Sequence, residues 1–152
     1  SRATVHNHFP HAIPGIFEAL AAETVETAVR RYRIDSNKYS GLDKPRHFIG
    51  LTADEFHKAG ELAVVMVRAS VDQATNSTWP WGLGYQATID CYDEAAEDDD
   101  LPGASVDLAE VTHVHFYGSL YLWTVGRLDA DGFLQSAKSS VDLAINALQV
   151  SR

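Results

Sequence analysis

The chain has 152 residues, of which 45% are hydrophobic, and carries 12 Lys and Arg against 21 Asp and Glu, a formal net charge of −9. This length and composition fit one globular domain with a buried core and exclude a disordered or collagen-like chain. The acidic balance argues against nucleic acid as a partner, because the phosphate backbone selects clustered Lys and Arg. The only cysteine, Cys91, cannot form an internal disulfide, so no oxidising compartment is indicated.

The sequence predicts neither export nor a membrane anchor. No basic segment followed by an apolar run opens the chain, so no signal peptide is visible. The longest apolar run, residues 62–67, is far too short to cross a bilayer. We therefore expect a cytoplasmic or virion-associated protein with no membrane partner.

The first predicted element is a helix from Pro14 to Arg33, preceded by an irregular arm over residues 1–12. Proline suits the first helical turn, where its missing N–H leaves no hydrogen bond unmade. Apolar residues recur through the segment with the 3.6-residue period of an amphipathic helix. Glutamates precede the arginines that close the segment, an order that complements the helix dipole.

The segment 52–72 leaves two interpretations open. Thr52 and Glu55 match a capping box, which starts a helix. This helix either continues to about the end of the segment or ends at Gly60, a residue type that suits the position after a helix. In the second case a strand follows, and the β-branched run at 64–67 favours that interpretation.

Most of the remaining apolar segments predict β-strands, because they alternate apolar with polar residues or are rich in β-branched and aromatic residues. Strands are expected at residues 47–51, 61–72, 85–91 and 111–125. A final helix is predicted over 133–149. The expected fold is a single α+β domain over residues 1–152, a two-layer structure in which the N-terminal and C-terminal helices cover a mainly antiparallel sheet.

An acidic loop is predicted over residues 93–104. It contains six carboxylates: Asp93, Glu94, Glu97, Asp98, Asp99 and Asp100. The common role of such a run is a solvated loop, and the sharper alternatives are a calcium site or a docking surface for a basic partner. Just before it, Trp79 and Trp81 flank a proline in a segment that cannot be regular structure. These two tryptophans either anchor their own segment on the core or join the acids as contact residues.

Two His-x-His pairs are the candidate metal ligands. On a strand, His113 and His115 would point to the same face and could bind one transition metal. If His6 and His8 crossed nearby, four ring nitrogens could converge. The alternative is that these are ordinary polar positions with no metal. We expect no organic cofactor, and the sequence identifies no catalytic residue.

Residues 116–125, followed by a polar turn and an amphipathic helix that ends near Leu148, resemble the C-terminal part of bacteriophage tail-terminator and tail-completion proteins. The resemblance is confined to the C-terminal third of the chain. Those proteins pair a long aromatic strand with a final helix and assemble as rings at the neck of the virion. The resemblance implies a homo-oligomer in which the acidic loop and the N-terminal arm contact other subunits, without a catalytic site.

Three hypotheses on function follow from these features. The first is a non-enzymatic assembly or interaction protein with protein partners, in particular a ring-forming neck subunit. The second is a small acidic inhibitor or immunity protein that masks a basic partner by charge complementarity. The third is a metal-dependent enzyme built on the His-x-His pairs.

Overall fold

The computed structural model describes residues 12–72 and 81–150, and no β-strand occurs in either range. The predicted α+β fold with an antiparallel sheet is therefore wrong, and the described part of the chain is all-α. Its elements are α1 (Ala12–Asp35), a short 3-10 helix (Ser36–Lys38), α2 (Asp43–Ala59), α3 (Glu61–Asp72), α4 (Trp81–Ala96), α5 (Ser105–Thr124), α6 (Ala130–Lys138) and α7 (Ser140–Val150).

Helix α1 confirms the first predicted element. Its buried residues, Ala21, Val25, Ala28 and Tyr32, are spaced three or four apart and therefore form one stripe along the helix. This stripe packs mainly against α2. Small residues within it, such as Ala28, allow the two helices to approach closely.

The predicted strands at 85–91 and 111–125 are parts of α4 and α5. Seven alternating residues span only two helical turns, so the pattern in 85–91 fits either period. Burial over a longer segment separates the two periods. In α5, the buried residues Leu108, Thr112, Phe116 and Leu120 recur at every fourth position, as they do in a helix.

The expected strand at 47–51 lies inside α2, which already begins at Asp43. Consequently Thr52 does not cap a helix. Its hydroxyl donates to the Phe48 carbonyl one turn earlier, at 3.0 Å. The capping-box interpretation was therefore wrong, because a pattern that can start a helix can also occur within one.

Of the two interpretations of 52–72, each was right in part. The first helix ends at Gly60, whose φ of 55° is in the region that favours glycine. The segment that follows is nevertheless the helix α3 and not a strand. Ala63, Met66 and Val67 are buried together, so packing overrides the β-branched preference of the run.

The predicted C-terminal helix is divided into α6 and α7 at Ser139. Aromatic rings join these elements to the rest of the core. Phe116 of α5 lies 6.1 Å from Phe56 of α2 and 6.2 Å from Phe133 of α6, measured between ring centroids. Trp123 stacks on Phe133 at 4.9 Å. Helix α5 also packs against α3, α4 and α7.

None of the helices within 12–72 and 81–150 combines the length and the apolar content needed to cross a membrane.

A matched pair of substitutions tests the helical assignment of α3. Val67 is 7% exposed and Val65 is 43% exposed, although both would lie on the same face of a strand. We expect Val67→Ala to lower the free energy of unfolding by about 2 kcal/mol, because two buried methyl groups are lost. Val65→Ala should change it by less than about 0.5 kcal/mol. Similar losses in urea unfolding of both variants would contradict the helix.

Candidate functional site

The histidines of the 113–115 pair point away from each other. They belong to a helix, where residues two apart lie about 200° apart around the axis. His115 Nδ1 lies 3.0 Å from Ser140 Oγ on α7. The His113 ring packs between Tyr85, at 5.4 Å, and Tyr117, at 4.9 Å between centroids. The two imidazoles therefore do not face one site.

The predicted metal site depended on a strand that is absent from this segment. In addition, His6 and His8 lie outside the described residues. Across residues 12–72 and 81–150, no group of three or more His, Cys, Asp or Glu side chains is arranged to hold a metal ion. The structure therefore does not bring His113 and His115 together, and it does not describe the other two predicted ligands.

The ring nitrogens of His113 are instead buried, and both are without a hydrogen-bond partner in the described structure. Gly84 of α4 lies against this ring, since a Cβ at that position would be in van der Waals contact with His113 Nε2, at 3.6 Å. Burial lowers the pKa of His113 to about 4, because a charged imidazole is poorly solvated there. His113 is therefore neutral at pH 7.

A surface cleft of about 570 Å³ lies between α1, α2 and α6. It is lined by Arg31, Tyr39, Asp43, Arg46, His47, Gly50, Leu51, Asp54 and Lys138. His47 Nε2 donates to the Asp35 carboxylate at 2.9 Å, and Tyr39 stacks on the imidazole at 4.0 Å. The hydrogen bond from His47 lowers the pKa of Asp35. This pair, which sequence reasoning missed, orients an imidazole toward the cleft.

The cleft nevertheless lacks two features of a catalytic site. Its described lining contains no Ser, Thr or Cys that His47 could activate. Its cations are also paired: Arg31 with Glu55, Arg46 with Asp142, and Lys138 with Asp54. Because carboxylates neutralise these cations, the cleft offers no strongly positive surface to an anionic substrate.

Three of the six predicted contact acids are used inside the molecule. Glu94 accepts a hydrogen bond of 2.8 Å from the Tyr32 hydroxyl. Asp98 accepts from the Gly41 N–H at 3.0 Å, and Asp99 accepts from the Leu42 N–H at 2.8 Å. Both amides precede α2, which begins at Asp43, so these carboxylates hold the segment that leads into this helix from a distant part of the chain.

We call the two hydrogen bonds from Gly41 and Leu42 to Asp98 and Asp99 the latch. Gly41 is required in it. Its φ is +49°, and a Cβ at this position would lie 2.1 Å from the Asp99 carboxylate. Lys44 adds an ion pair with Asp98 at 3.6 Å. The predicted acidic loop is therefore partly an internal connection between the end of α4 and the start of α2.

The other predicted contact residues have different positions. Asp93 lies in α4, while Glu97 and Asp100 follow it, and all three side chains are exposed. Trp79 falls outside the described residues. Trp81 is the first residue of α4, so the expectation of irregular structure at that position was wrong, and its side chain is not among those described.

Within the described residues, one face of α5 carries several exposed apolar side chains. We call it the α5 face and define it by Val106, Glu110, Val114, Gly118, Tyr121, Leu122 and Val125, all of which are exposed. Val114 is 71% exposed. Around Gly118 there is open space, since a Cβ built there meets no atom within 4 Å.

The opposite side of α5 is buried in the core, so this helix is apolar on both sides. Such a composition is typical of a helix that is covered all round. The signal was present in the sequence at 111–125, but the strand interpretation divided these residues between two sheet faces.

No protein-family model, curated protein or solved structure matches this chain.

Removal of the Asp99 carboxylate tests the latch. We expect Asp99→Ala to lower the free energy of unfolding by about 1 kcal/mol, because the hydrogen bond from the Leu42 amide is lost. Asp100→Ala removes the same charge from the next residue, and should change it by less than about 0.5 kcal/mol. Equal effects of the two substitutions in urea unfolding would contradict the latch.

The low pKa of His113 predicts a pH dependence of stability. Below pH 6.5 the unfolded chain binds a proton at this residue, whereas the folded chain does so only near pH 4. Stability should therefore fall as the pH falls through this window. We expect His113→Phe to reduce the loss between pH 7 and pH 5 by about 2 kcal/mol.

The unsubstituted protein is the reference for this measurement, which compares urea unfolding at pH 7 and at pH 5. If His113→Phe shows the same dependence as the unsubstituted protein, then the imidazole of His113 is not the group that titrates.

Proposed function

We propose that the chain is a non-enzymatic assembly subunit that associates with other copies of itself through the α5 face. The observation that supports this proposal is the exposure of an apolar stripe on the helix that also forms much of the core. Exposed apolar stripes of this kind commonly mark protein interaction surfaces. Val114, at the middle of the stripe, is among the most exposed large hydrophobic residues.

The alternatives based on chemistry have less support. A metal-dependent enzyme would need ligands that converge, and His113 and His115 diverge on α5. The His47–Asp35 pair faces a cleft without a described nucleophile. An assembly role needs only a surface, and the α5 face supplies one.

The tail-terminator resemblance stays a prediction. It implied a long aromatic strand over 116–125, and this segment is α5 with its C-terminal turn. The assembly proposal therefore depends on the α5 face and makes no use of a ring at a virion neck.

A second candidate function is binding of a basic protein through α4. Asp90, Asp93 and Glu97 are exposed at helical spacing, and no described residue forms an ion pair with them. This stripe favours the acidic-inhibitor hypothesis. Binding there would weaken strongly as salt rises, whereas apolar association through α5 would persist.

Light scattering with a matched pair of variants tests the assembly proposal. We expect the unsubstituted protein to have a mass in solution that is a multiple of 16.7 kDa. Val114→Glu should reduce it to one chain, because a carboxylate would be buried in the interface. Ile34→Glu adds the same charge at a residue of α1 that is 78% exposed, and should leave the mass unchanged.

Two results would contradict the proposal. One is a single-chain mass for the unsubstituted protein at every concentration. The other is an oligomer that Val114→Glu does not dissociate.

A further inference from the structure

We infer that the partner of the α5 face is one further copy of this chain, bound antiparallel across a two-fold axis near residue 116. This inference rests on the assembly function proposed above and adds the partner, its orientation and the number of copies. It follows from three properties of the face: its shape, its charges and its size.

The shape of the α5 face is self-complementary when two copies run in opposite directions. Val114 projects from the face, and Gly118, one turn further along, leaves a gap. In the antiparallel arrangement Val114 enters the gap at the partner's Gly118, and symmetry repeats this contact. The same register places Val106 opposite the partner's Val125 at both ends of the stripe.

A glycine in the middle of a helix supports this use of the gap. Gly118 costs about 0.5–1 kcal/mol relative to alanine at such a position. Nothing within the described chain requires its small size, because a Cβ there meets no atom within 4 Å. Close approach of a second helix explains why a residue without a side chain lies at this position.

The charges at the two ends of the face favour the antiparallel direction. Asp107 and Glu110 are exposed near the start of α5, and Arg127 is exposed just after its end. The Arg127 N–H donates to the Leu122 carbonyl at 2.8 Å, which keeps this residue close to the last turn. No described residue forms an ion pair with these three side chains.

Antiparallel packing places Asp107 near the partner's Arg127 at each end of the interface. Parallel packing would instead place acidic groups beside acidic groups, and Arg127 beside the partner's Arg127. Antiparallel packing also aligns the helix dipoles favourably. The charges therefore select one of the two directions that the apolar stripe alone would allow.

The size of the face predicts a weak dimer. From Val106 to Val125 the stripe is about 28 Å long, and a helix is about 10 Å wide. This footprint is smaller than the roughly 800 Å² per partner of a standard interface. We therefore expect a weak dimer that dissociates on dilution. Because two identical faces cover each other completely, the assembly closes at two copies and does not continue as a ring.

Cysteine cross-linking tests the arrangement. We use Val106→Cys and Val125→Cys as two separate variants, at a chain concentration where light scattering gives twice the monomer mass. A short bismaleimide should join them when they are mixed, since the two positions face each other across the interface. Either variant alone should give almost no covalent dimer, because its two cysteines lie about 28 Å apart.

The natural cysteine does not compete in this experiment. Cys91 is 1% exposed, and burial raises the pKa of its thiol to about 12, so it has little reactive thiolate. Adding Val114→Glu to both variants should abolish the covalent dimer. This control separates specific association from random collision.

Each of the remaining outcomes contradicts a specific part of the inference. Cross-linking of either variant alone would indicate parallel helices. A dimer without the mixed product that Val114→Glu still dissociates would indicate another register of the α5 face, and a mass above two copies that Val114→Glu dissociates would indicate an open or ring assembly; in both cases the assembly function would stand. A dimer that Val114→Glu does not dissociate would indicate another interface and would overturn the assembly function as well. A monomer at every concentration would overturn the inference and the assembly function together. The same holds for a monomer in which the thiol of Val106→Cys does not react with maleimide, because another part of the same chain then covers the α5 face.

Discussion

Burial of Phe116 joins α5 to two other helices and goes with the side of α5 that faces the core. Its ring contacts Phe56 of α2 and Phe133 of α6. Once this side chain is inside, the geometry of the helix forces Val114, two residues earlier, to the outside. The core therefore fixes both the buried side of α5 and the composition of the surface that it presents.

This constraint connects stability with the proposed function. A helix that served only the core could carry polar residues on its outer side, as α4 does with Asp90 and Asp93. The outer side of α5 carries acidic residues only near its start, and beyond Glu110 it consists of valines, a tyrosine, a leucine and a glycine. The contrast between two neighbouring helices that contact each other makes the α5 face the distinctive surface of the described chain.

The sequence allowed prediction of the features that depend on local chemistry. Helix α1 has a long and regular period, and Gly60 ends α2 as its residue type suggests. The strands were wrong because β-branched and aromatic residues also pack well on buried helices. Segments of five to seven residues are too short to separate the two periods. The acidic residues were found, but their partners at Gly41 and Leu42 could not be, since this pairing depends on the fold. The same is true of His47 and Asp35.

The latch between the end of α4 and the start of α2 has a consequence for the order of folding. The amide of Gly41 and its acceptor Asp98 are 57 residues apart in the chain, so closing this contact requires a large loop to lose its freedom. We therefore expect the hydrogen bonds of Gly41 and Leu42 to form only when the end of α4 packs at the start of α2, and amide exchange at these two residues would report that event within a single chain.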